Sequence, residues 1–563
     1  MKNGRNKRNK DLNLRNNYFY YYKNIAILIL FILLLIYLPT PLWHFPDGIG
    51  YYSYLPAIFK YKNYDFYTSI KRYTPGIIGT TKNGFIINDF DIGCSIIWYP
   101  VYFFSKIFEN ENISILFINF FSSLLGLCSL LIFYKFLTKK LNFNKTTSFY
   151  ICVYLLSGTP LLFYSYAIPQ NPHTTACFLC SLFLVYWISR IGNFSYERFL
   201  FMGVLLGIIS TVRLQRVTLI LPVIIEFFFQ VTKDLKNFKK YIPIIFYFII
   251  SFLIGISPSL INSKILFSEL TIPKLYTVSI NKYIFSSLYE VLFSSYHSLL
   301  LWTPIILLSI LGLIIGIKNN KIVSISLLSV VITEIFISSL VISPGGGASF
   351  GIRYYTDLTF IFGVGIYFLF LSFHKLKIYL IIIFFVLSTW SFVLFLLSLT
   401  QIIDLLEVYE IRTFFINILE GIKNLSITLK PRHILETEKY LFLSIILLST
   451  IYLTIKIYDL LISHKVTFLY FLLVFYLLFF NYNLIRAGLL NRIVYKKEIF
   501  EQSLTLEDYQ KFYTLAGINV RLKYYKITKQ QDKFQFYYSL KEKLKPQSYF
   551  GKKIIIPLFY RTD

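Results

Sequence analysis

Long apolar runs recur along most of this chain, and they constrain its fold more than any other feature. Residues 113–136, 322–342 and 378–399 are each apolar almost throughout. A helix needs about 20 such residues to cross the hydrocarbon core of a bilayer. Of the 563 residues, 15% are charged and 56% are hydrophobic, whereas about 25% of a soluble domain is charged. The sequence therefore predicts an all-α polytopic integral membrane protein and excludes an ordinary soluble domain.

Basic residues outnumber acidic residues two to one, with 56 Lys and Arg against 28 Asp and Glu. A nucleic-acid-binding protein with this excess would be polar overall, so the excess is better explained by membrane topology, because short cytoplasmic loops are rich in Lys and Arg. Residues 1–23 are basic and are followed by an apolar segment without a small-residue cleavage site. We expect a signal anchor, a cytoplasmic N-terminal tail over 1–23 and residence in the cell membrane.

Alternation of basic and non-basic loops predicts about 12–13 transmembrane helices within residues 24–486. The first outer loop, 42–112, is rich in Pro and Tyr and is expected to contain interfacial helices, one of them over 92–108. Two short runs, 199–212 and 219–231, look like a broken pair that meets at Arg213 to Arg216, and such a break is tolerated where the backbone lines a cavity.

Two further outer segments follow late in the chain. Residues 400–439 form an amphipathic stretch. Residues 487–563 are polar, aromatic and basic, with strand-like pieces over 534–538 and 554–560. We interpret 487–563 as a small extracytoplasmic domain.

With this topology the unusual polar side chains fall on the outer side of the membrane. They include His173, Arg213, His297 and Arg353. Ionisable residues at membrane depth are expensive and by default mark a functional site. The sequence therefore predicts one site at the outer face.

The first motif of this site is His-Phe-Pro-Asp-Gly-Ile-Gly-Tyr-Tyr over 44–52. Its proline and two glycines favour a tight turn that presents the carboxylate of Asp47, and Tyr51 and Tyr52 then open an interfacial helix. One interpretation makes Asp47 a general base at the headgroup of a lipid-linked substrate. The alternative is that Asp47 caps the N-terminus of the helix that follows.

The second motif is a glycine-rich segment over 343–357 that contains Arg353 and Tyr354. Glycines let backbone N–H groups approach an anion, and a guanidinium offers a fork for phosphate. The segment lacks the Lys-Ser/Thr of a nucleotide-binding P-loop. The alternative is that Arg353 reaches to the membrane interface as a snorkelling side chain, and the same alternative applies to Arg213 and Arg216.

The third motif, over 293–304, places His297 just before a helix, where it acts at the site or packs in the interface. Asp89 and Asp91 in the first loop are a second pair of carboxylates. Two carboxylates without a third ligand are a weak metal signal, so no metal site is predicted.

The order of these three motifs resembles the bacterial C-type glycosyltransferases, which use polyprenyl-phosphate sugars and are related to protein mannosyltransferases and the lipid A aminoarabinose transferase. Residues 294–304 are similar to a Ser-x-His-Gly-Leu-x-x-Trp-Thr-Pro pattern, and residues 345–355 are similar to Gly-Gly-x-Ser-Phe-Gly-x-Arg-Tyr. The resemblance covers about 25–373. Ser298 departs from it, since the pattern has Gly there, and the first-loop carboxylate Asp47 has no adjacent acidic partner.

The resemblance implies an enzyme that moves a hexosyl or pentosyl group from a polyprenyl-phosphate donor to a glycan, lipid or protein acceptor at the outer face. Asp47 would be the catalytic base, and Arg353 would stabilise the lipid phosphate as the bond breaks. The remaining substrate-binding residues would be Arg213, His297, His173, Tyr51, Tyr52 and Tyr354, with Asp89 and Asp91 as second carboxylates. The scheme requires no nucleotide, divalent cation or other cofactor and no nucleic-acid partner.

Two other functions fit a polytopic membrane protein. An O-antigen-type polymerase or ligase also places outer arginines on a lipid-linked glycan, but we would expect its large outer loop late in the chain. A lipid or solute transporter predicts internal repeats and polar residues near the midplane, and the sequence displays no such repeat.

Overall fold

A computed structural model of the protein describes residues 46–62, 66, 88, 90–233, 235–270, 284–340, 349–400, 402–405, 409–423, 437–462 and 466–490. Within these ranges every regular element is a helix, and the all-α prediction is confirmed for them. The predicted basic tail, the first apolar run, most of the first outer loop and the predicted C-terminal domain from 491 onward lie outside the described residues.

Eight helical segments of the described chain are long and apolar enough to cross a membrane. They are Glu111–Lys140, Leu214–Lys233, Lys239–Phe267, Lys321–Leu340, Arg353–Ser372, His374–Leu399, Leu443–Ile462 and Val466–Ala487. Two shorter apolar helices, His173–Ser189 and Ile305–Gly316, accompany them. By length and composition these helices are suited to a multi-pass membrane protein, whereas the count of about 12–13 crossings stays a prediction.

The first half of the described chain forms nine helices. They are α1 (Pro46–Leu55), α2 (Gly93–Ser105), α3 (Glu111–Lys135), α4 (Lys145–Gly158), α5 (Leu161–Tyr166), α6 (His173–Ser189), α7 (Tyr196–Val212), α8 (Ile220–Lys233) and α9 (Ile242–Phe267). A π-turn, Pro56–Tyr61, extends α1.

The second half of the described chain forms nine more helices. They are α10 (Ile284–Phe293), α11 (Leu299–Trp302), α12 (Ile305–Gly316), α13 (Lys321–Leu340), α14 (Thr359–Ser372), α15 (Lys377–Leu399), α16 (Ile411–Lys423), α17 (Thr437–Ile462) and α18 (Val466–Leu490). A 3-10 turn, Arg353–Leu358, leads directly into α14. We call it the Arg353 turn.

The predicted interruption at Arg213 to Arg216 is present as a helix break. The backbone of Arg213 is extended, with φ −151° and ψ 111°, so α7 ends at Val212. A 3-10 turn, Leu214–Leu219, follows before α8 begins. Residues 213–219 form what we call the helix break, and it lies in the interior, because the side chains of Arg213 and Arg216 are buried.

The segment expected to be interfacial over 92–108 forms α2, which has 13 residues. It is too short to cross a bilayer. One side of α2 is buried against α1, α3 and α7, with Trp98 in the core, while Phe103 and Phe104 are exposed. Its position at a membrane surface stays a prediction.

The predicted amphipathic stretch over 400–439 contains α16. Phe414, Ile418 and Gly421 are buried, whereas Leu419 on the opposite side is exposed. This division of faces fits the amphipathic pattern of the sequence.

Helix packing brings the helix break and the Arg353 turn together. α6 packs between α3 and α7, and the Arg353 turn packs on α6. α13, which precedes the glycine-rich segment in the chain, contacts both the helix break and the Arg353 turn. This packing places residues from α6, the helix break, α13 and the Arg353 turn around one point.

Candidate functional site

Asp47 and Arg353 form an ion pair. Nη1 of Arg353 donates to Oδ2 of Asp47 at 3.0 Å, across 306 positions of the sequence. Both side chains are part-exposed, 25% for Arg353 and 38% for Asp47. Two charged residues that were chosen from separate motifs thus lie at one place.

The start of α1 bears on the alternative role for Asp47. The expected tight turn is wrong from Pro46 onward, because the helix α1 already covers Pro46–Leu55 and Asp47 lies inside its first turn. A carboxylate there interacts favourably with the helix dipole without occupying the capping position. Asp47 is therefore part of the helix itself, and its side chain contacts Arg353.

Aromatic rings surround this pair. The ring of Tyr354 lies 5.7 Å from the guanidinium carbon of Arg353 and 5.4 Å from that of Arg213. Tyr51 packs against Phe90 at a centroid distance of 5.0 Å. Tyr51 lies four residues after Asp47 on α1, and Tyr354 contacts both guanidinium groups. Cation–π contacts of this kind favour a fixed guanidinium position.

Arg213 and His173 lie behind Arg353 in a buried network. Nη1 of Arg213 is 3.2 Å from Oδ2 of Asp357 and also contacts Nδ1 of His173. Nη2 of Arg213 donates to Oε1 of Gln215 at 2.7 Å. Nδ1 of His173 is 3.4 Å from Oδ1 of Asp357.

Arg216 extends the same network. Its Nε is 3.1 Å from Oδ2 of Asp357, and its Nη2 donates to Oε2 of Glu334 at 2.9 Å and to the carbonyl of Tyr354 at 3.1 Å. The hydroxyl of Thr218 donates to the other oxygen of Glu334 at 2.8 Å. Arg216 and Glu334 are fully buried.

The buried charges of this network balance. Arg213 and Arg216 carry two positive charges, and Asp357 and Glu334 carry two negative charges. An isolated buried charge is strongly unfavourable, whereas a paired and hydrogen-bonded one is tolerated. The alternative that Arg213 and Arg216 snorkel to the interface is wrong, because both side chains are buried in ion pairs.

Asp91 is a further buried carboxyl group close to this network. Burial raises its pKa to about 7, opposed by the charge of Arg213 and a hydrogen bond from the backbone of Leu214. Its predicted companion Asp89 lies outside the described residues. Among the residues that the structure describes, no group of three His, Cys, Asp or Glu side chains could hold a metal ion.

His297 packs in the protein rather than facing open solvent. Its Nε2 donates to the carbonyl of Leu405 at 2.8 Å, and its ring lies 4.9 Å from that of Trp302. Burial, together with the charge of Arg353, lowers the pKa of His297 to about 3, so the ring is neutral. The next residue, Ser298, caps α11 by accepting from the N–H of Leu301 at 3.3 Å, which gives a local role to the serine that departs from the family pattern.

The hydroxyl of Tyr52 points away from the Asp47–Arg353 pair, toward α3. It donates to Oε1 of Glu111 at 3.3 Å, and the ring of Tyr52 packs edge-on against Tyr102. The structure therefore brings Asp47, Tyr51, His173, Arg213, Arg353 and Tyr354 to one region, with Asp91 and His297 beside it, and directs the hydroxyl of Tyr52 toward α3.

Sequence reasoning missed the two carboxylates of the network. Glu334 is a single acidic residue in the middle of the apolar helix α13, and an ionisable residue in such a run was a usable signal. Asp357 lies inside the second motif, but only Arg353 and Tyr354 were singled out there. The sequence gives no way to match either carboxylate with its arginine, because each pair joins residues at least 118 positions apart.

No family model, no curated protein and no solved structure matches this chain. The resemblance to C-type glycosyltransferases consequently rests on the three motifs. The arrangement of side chains described above is the independent observation on which a function can be argued.

Proposed function

We propose that this protein is a membrane glycosyltransferase that moves a sugar from a polyprenyl-phosphate donor to an acceptor at the outer face of the membrane. The observation that carries the proposal is the 3.0 Å pairing of Asp47 with Arg353. Glycosyl transfer from a lipid phosphate needs a base for the acceptor and a cation for the departing phosphate. A part-exposed carboxylate and a part-exposed guanidinium in contact supply both.

In this mechanism the carboxylate of Asp47 accepts the proton of an acceptor hydroxyl or amine. The acceptor atom attacks the anomeric carbon with inversion, the bond from that carbon to the phosphate oxygen breaks, and the lipid phosphate leaves with the electron pair. Arg353 stabilises the charge that develops on the leaving phosphate.

Of Arg213, Arg216 and Arg353, the last is best placed to bind a phosphate. Arg213 and Arg216 are buried and paired with Asp357 and Glu334, whereas the partner of Arg353 is the part-exposed Asp47. The donor phosphate would replace this carboxylate at the guanidinium, and the exchange would release Asp47 for the acceptor.

The test is Asp47→Asn, which keeps the shape of the side chain and removes the base. We expect transfer to fall by about 10²–10⁴ while expression and membrane insertion stay intact. Mass spectrometry of lipid-linked and surface glycans in a deletion strain carrying the variant should find the donor accumulated and the product lost.

Asp459→Asn is the matched control, since it makes the same change at a half-exposed carboxylate on α17. Its glycan profile should equal that of the wild type. Full activity of Asp47→Asn would refute the assignment, and an unchanged glycan profile in the deletion strain would contradict the proposed transfer.

A further inference from the structure

One guanidinium connects three separate segments of the chain. Arg216, in the helix break, binds Glu334 of α13 and both Asp357 and the Tyr354 carbonyl of the Arg353 turn. Arg213, in the same helix break, also forms an ion pair with Asp357. The helix break is thereby tied to α13 and to the Arg353 turn by buried contacts.

These contacts fix the part of the chain that carries Arg353. Asp357 lies four residues after Arg353 in the same 3-10 turn, and Tyr354 is the next residue. The Tyr354 ring contacts the guanidinium group of Arg213 and also that of Arg353. A shift of the turn would therefore break the ion pairs of Asp357 and the hydrogen bond to the Tyr354 carbonyl together.

Arg216 donates hydrogen bonds to Glu334 and to the Tyr354 carbonyl, whereas its contact with Asp357 is an ion pair without a hydrogen bond. Charge-assisted hydrogen bonds to buried partners are the stronger ones, and they add geometric specificity. Removing one carboxylate would leave a buried guanidinium without compensation, and the remaining partners would have to rearrange around it. The Arg353 turn would be displaced most by that rearrangement, because Arg216 contacts it at both Asp357 and the Tyr354 carbonyl.

We propose that Glu334 and Asp357 are positioning residues that hold Arg353 at the place where it meets the phosphate of the donor. The identity of the ligand rests on the proposed function. The positional role rests on the contacts of Arg213 and Arg216 alone.

The chain offers a matched control at the other end of α7. Arg198 forms a two-fold ion pair with Glu226, with Nη1 to Oε1 at 2.9 Å and Nη2 to Oε2 at 2.6 Å. Both residues are buried, and Glu226 also accepts from Trp187 and from the N–H of Gly192. Arg198 precedes Arg213 by 15 residues, which is about 22 Å along a helix.

The first experiment compares Glu334→Gln with Glu226→Gln in binding of undecaprenyl phosphate by the purified full chain. Both variants break a buried Arg–Glu pair, so both should lower the unfolding temperature. We expect Glu334→Gln to raise the Kd about tenfold, with Glu226→Gln within about twofold of the wild type. Equal effects of the two variants would overturn the positional role.

The second experiment does not depend on any ligand. In an Arg353→Cys background, the rate of maleimide labelling at position 353 reports the placement of the turn. Glu334→Gln should change this rate several-fold and Glu226→Gln should not, with the wild type giving the background from the native cysteines. An unchanged rate in Glu334→Gln would overturn the proposal.

Two further variants keep the results interpretable. Arg353→Gln should abolish binding of undecaprenyl phosphate. If Arg353→Gln binds like the wild type, the proposed function fails, while the labelling rates still decide the positional role. If Glu334→Gln does not fold, Thr218→Val removes one hydrogen bond to Glu334 and should shift both readouts in the same direction, and no shift would overturn the proposal.

Discussion

Charged side chains in the interior of this protein occur with compensating partners at both ends of α7. Arg198 is paired with Glu226 at one end, and Arg213 and Arg216 are paired with Asp357 and Glu334 at the other. Removing one member of a buried pair typically costs about 3–5 kcal/mol, because it leaves an uncompensated charge. The sequence identified the arginines of the second group, since they interrupt an apolar run, but their partners come from distant helices.

The buried carboxyl group of Asp91 predicts a pH dependence of stability. Burial raises its pKa to about 7 in the folded protein, above the ordinary value of an aspartate, so folding favours the protonated form. The stabilisation is present below the unfolded pKa and is lost as the pH rises through about 7. Asp91→Asn stays neutral, so its unfolding temperature relative to the wild type should rise between about pH 5 and about pH 8.

Thermal unfolding of the two proteins in detergent at both pH values is the measurement. Asp459→Asn, at a half-exposed site, should show no such change. A constant difference between wild type and Asp91→Asn would contradict the prediction.

Close helix packing in this protein depends on glycines at four-residue spacing. α7 contains Gly203 and Gly207, and α9 presents Ser251 and Gly255 to them. A Cβ atom on Gly207 would lie 2.5 Å from the carbonyl oxygen of Phe252. Small residues at this spacing let helices approach closely in membranes, and the Gly-x-x-x-Gly pattern is readable in the sequence.

Gly207→Leu tests the role of this contact. The added side chain has no space against α9, so the helices must separate, and overpacking of this kind costs about 1–3 kcal/mol. A lower unfolding temperature in detergent is expected. Leu253→Ala, at an exposed position of α9, is the control and should change it little; a Gly207→Leu protein as stable as the control would disprove the close contact.

The candidate site and the basic turns are predicted to lie on opposite sides of the membrane. His173 and His297 are buried, so they are unsuitable for labelling from solution. Asp47 and Arg353 are part-exposed, and Asn319, in the basic turn between α12 and α13, is exposed.

Single cysteines at positions 47, 353 and 319 test the orientation. An impermeant maleimide added to intact cells should label Asp47→Cys and Arg353→Cys, whereas Asn319→Cys should be labelled only after the membrane is opened. The physical reason is that Lys-rich short loops stay in the cytoplasm. Labelling of position 319 in intact cells, or of position 47 from the cytoplasmic side only, would reverse the predicted topology.

Local sequence patterns predicted the helical elements, the apolar segments long enough to cross a membrane and the helix break near Arg213, and they singled out Asp47 and Arg353. These features depend on hydropathy, on interrupted apolar runs and on turn-forming residues, all of which act over short stretches of chain. Only the packed helices show that Asp47 contacts Arg353, that Glu334 and Asp357 neutralise Arg213 and Arg216, and that the hydroxyl of Tyr52 is directed toward Glu111. Such contacts join residues far apart in sequence, and they form only when several helices pack together and every buried charge has to find a partner.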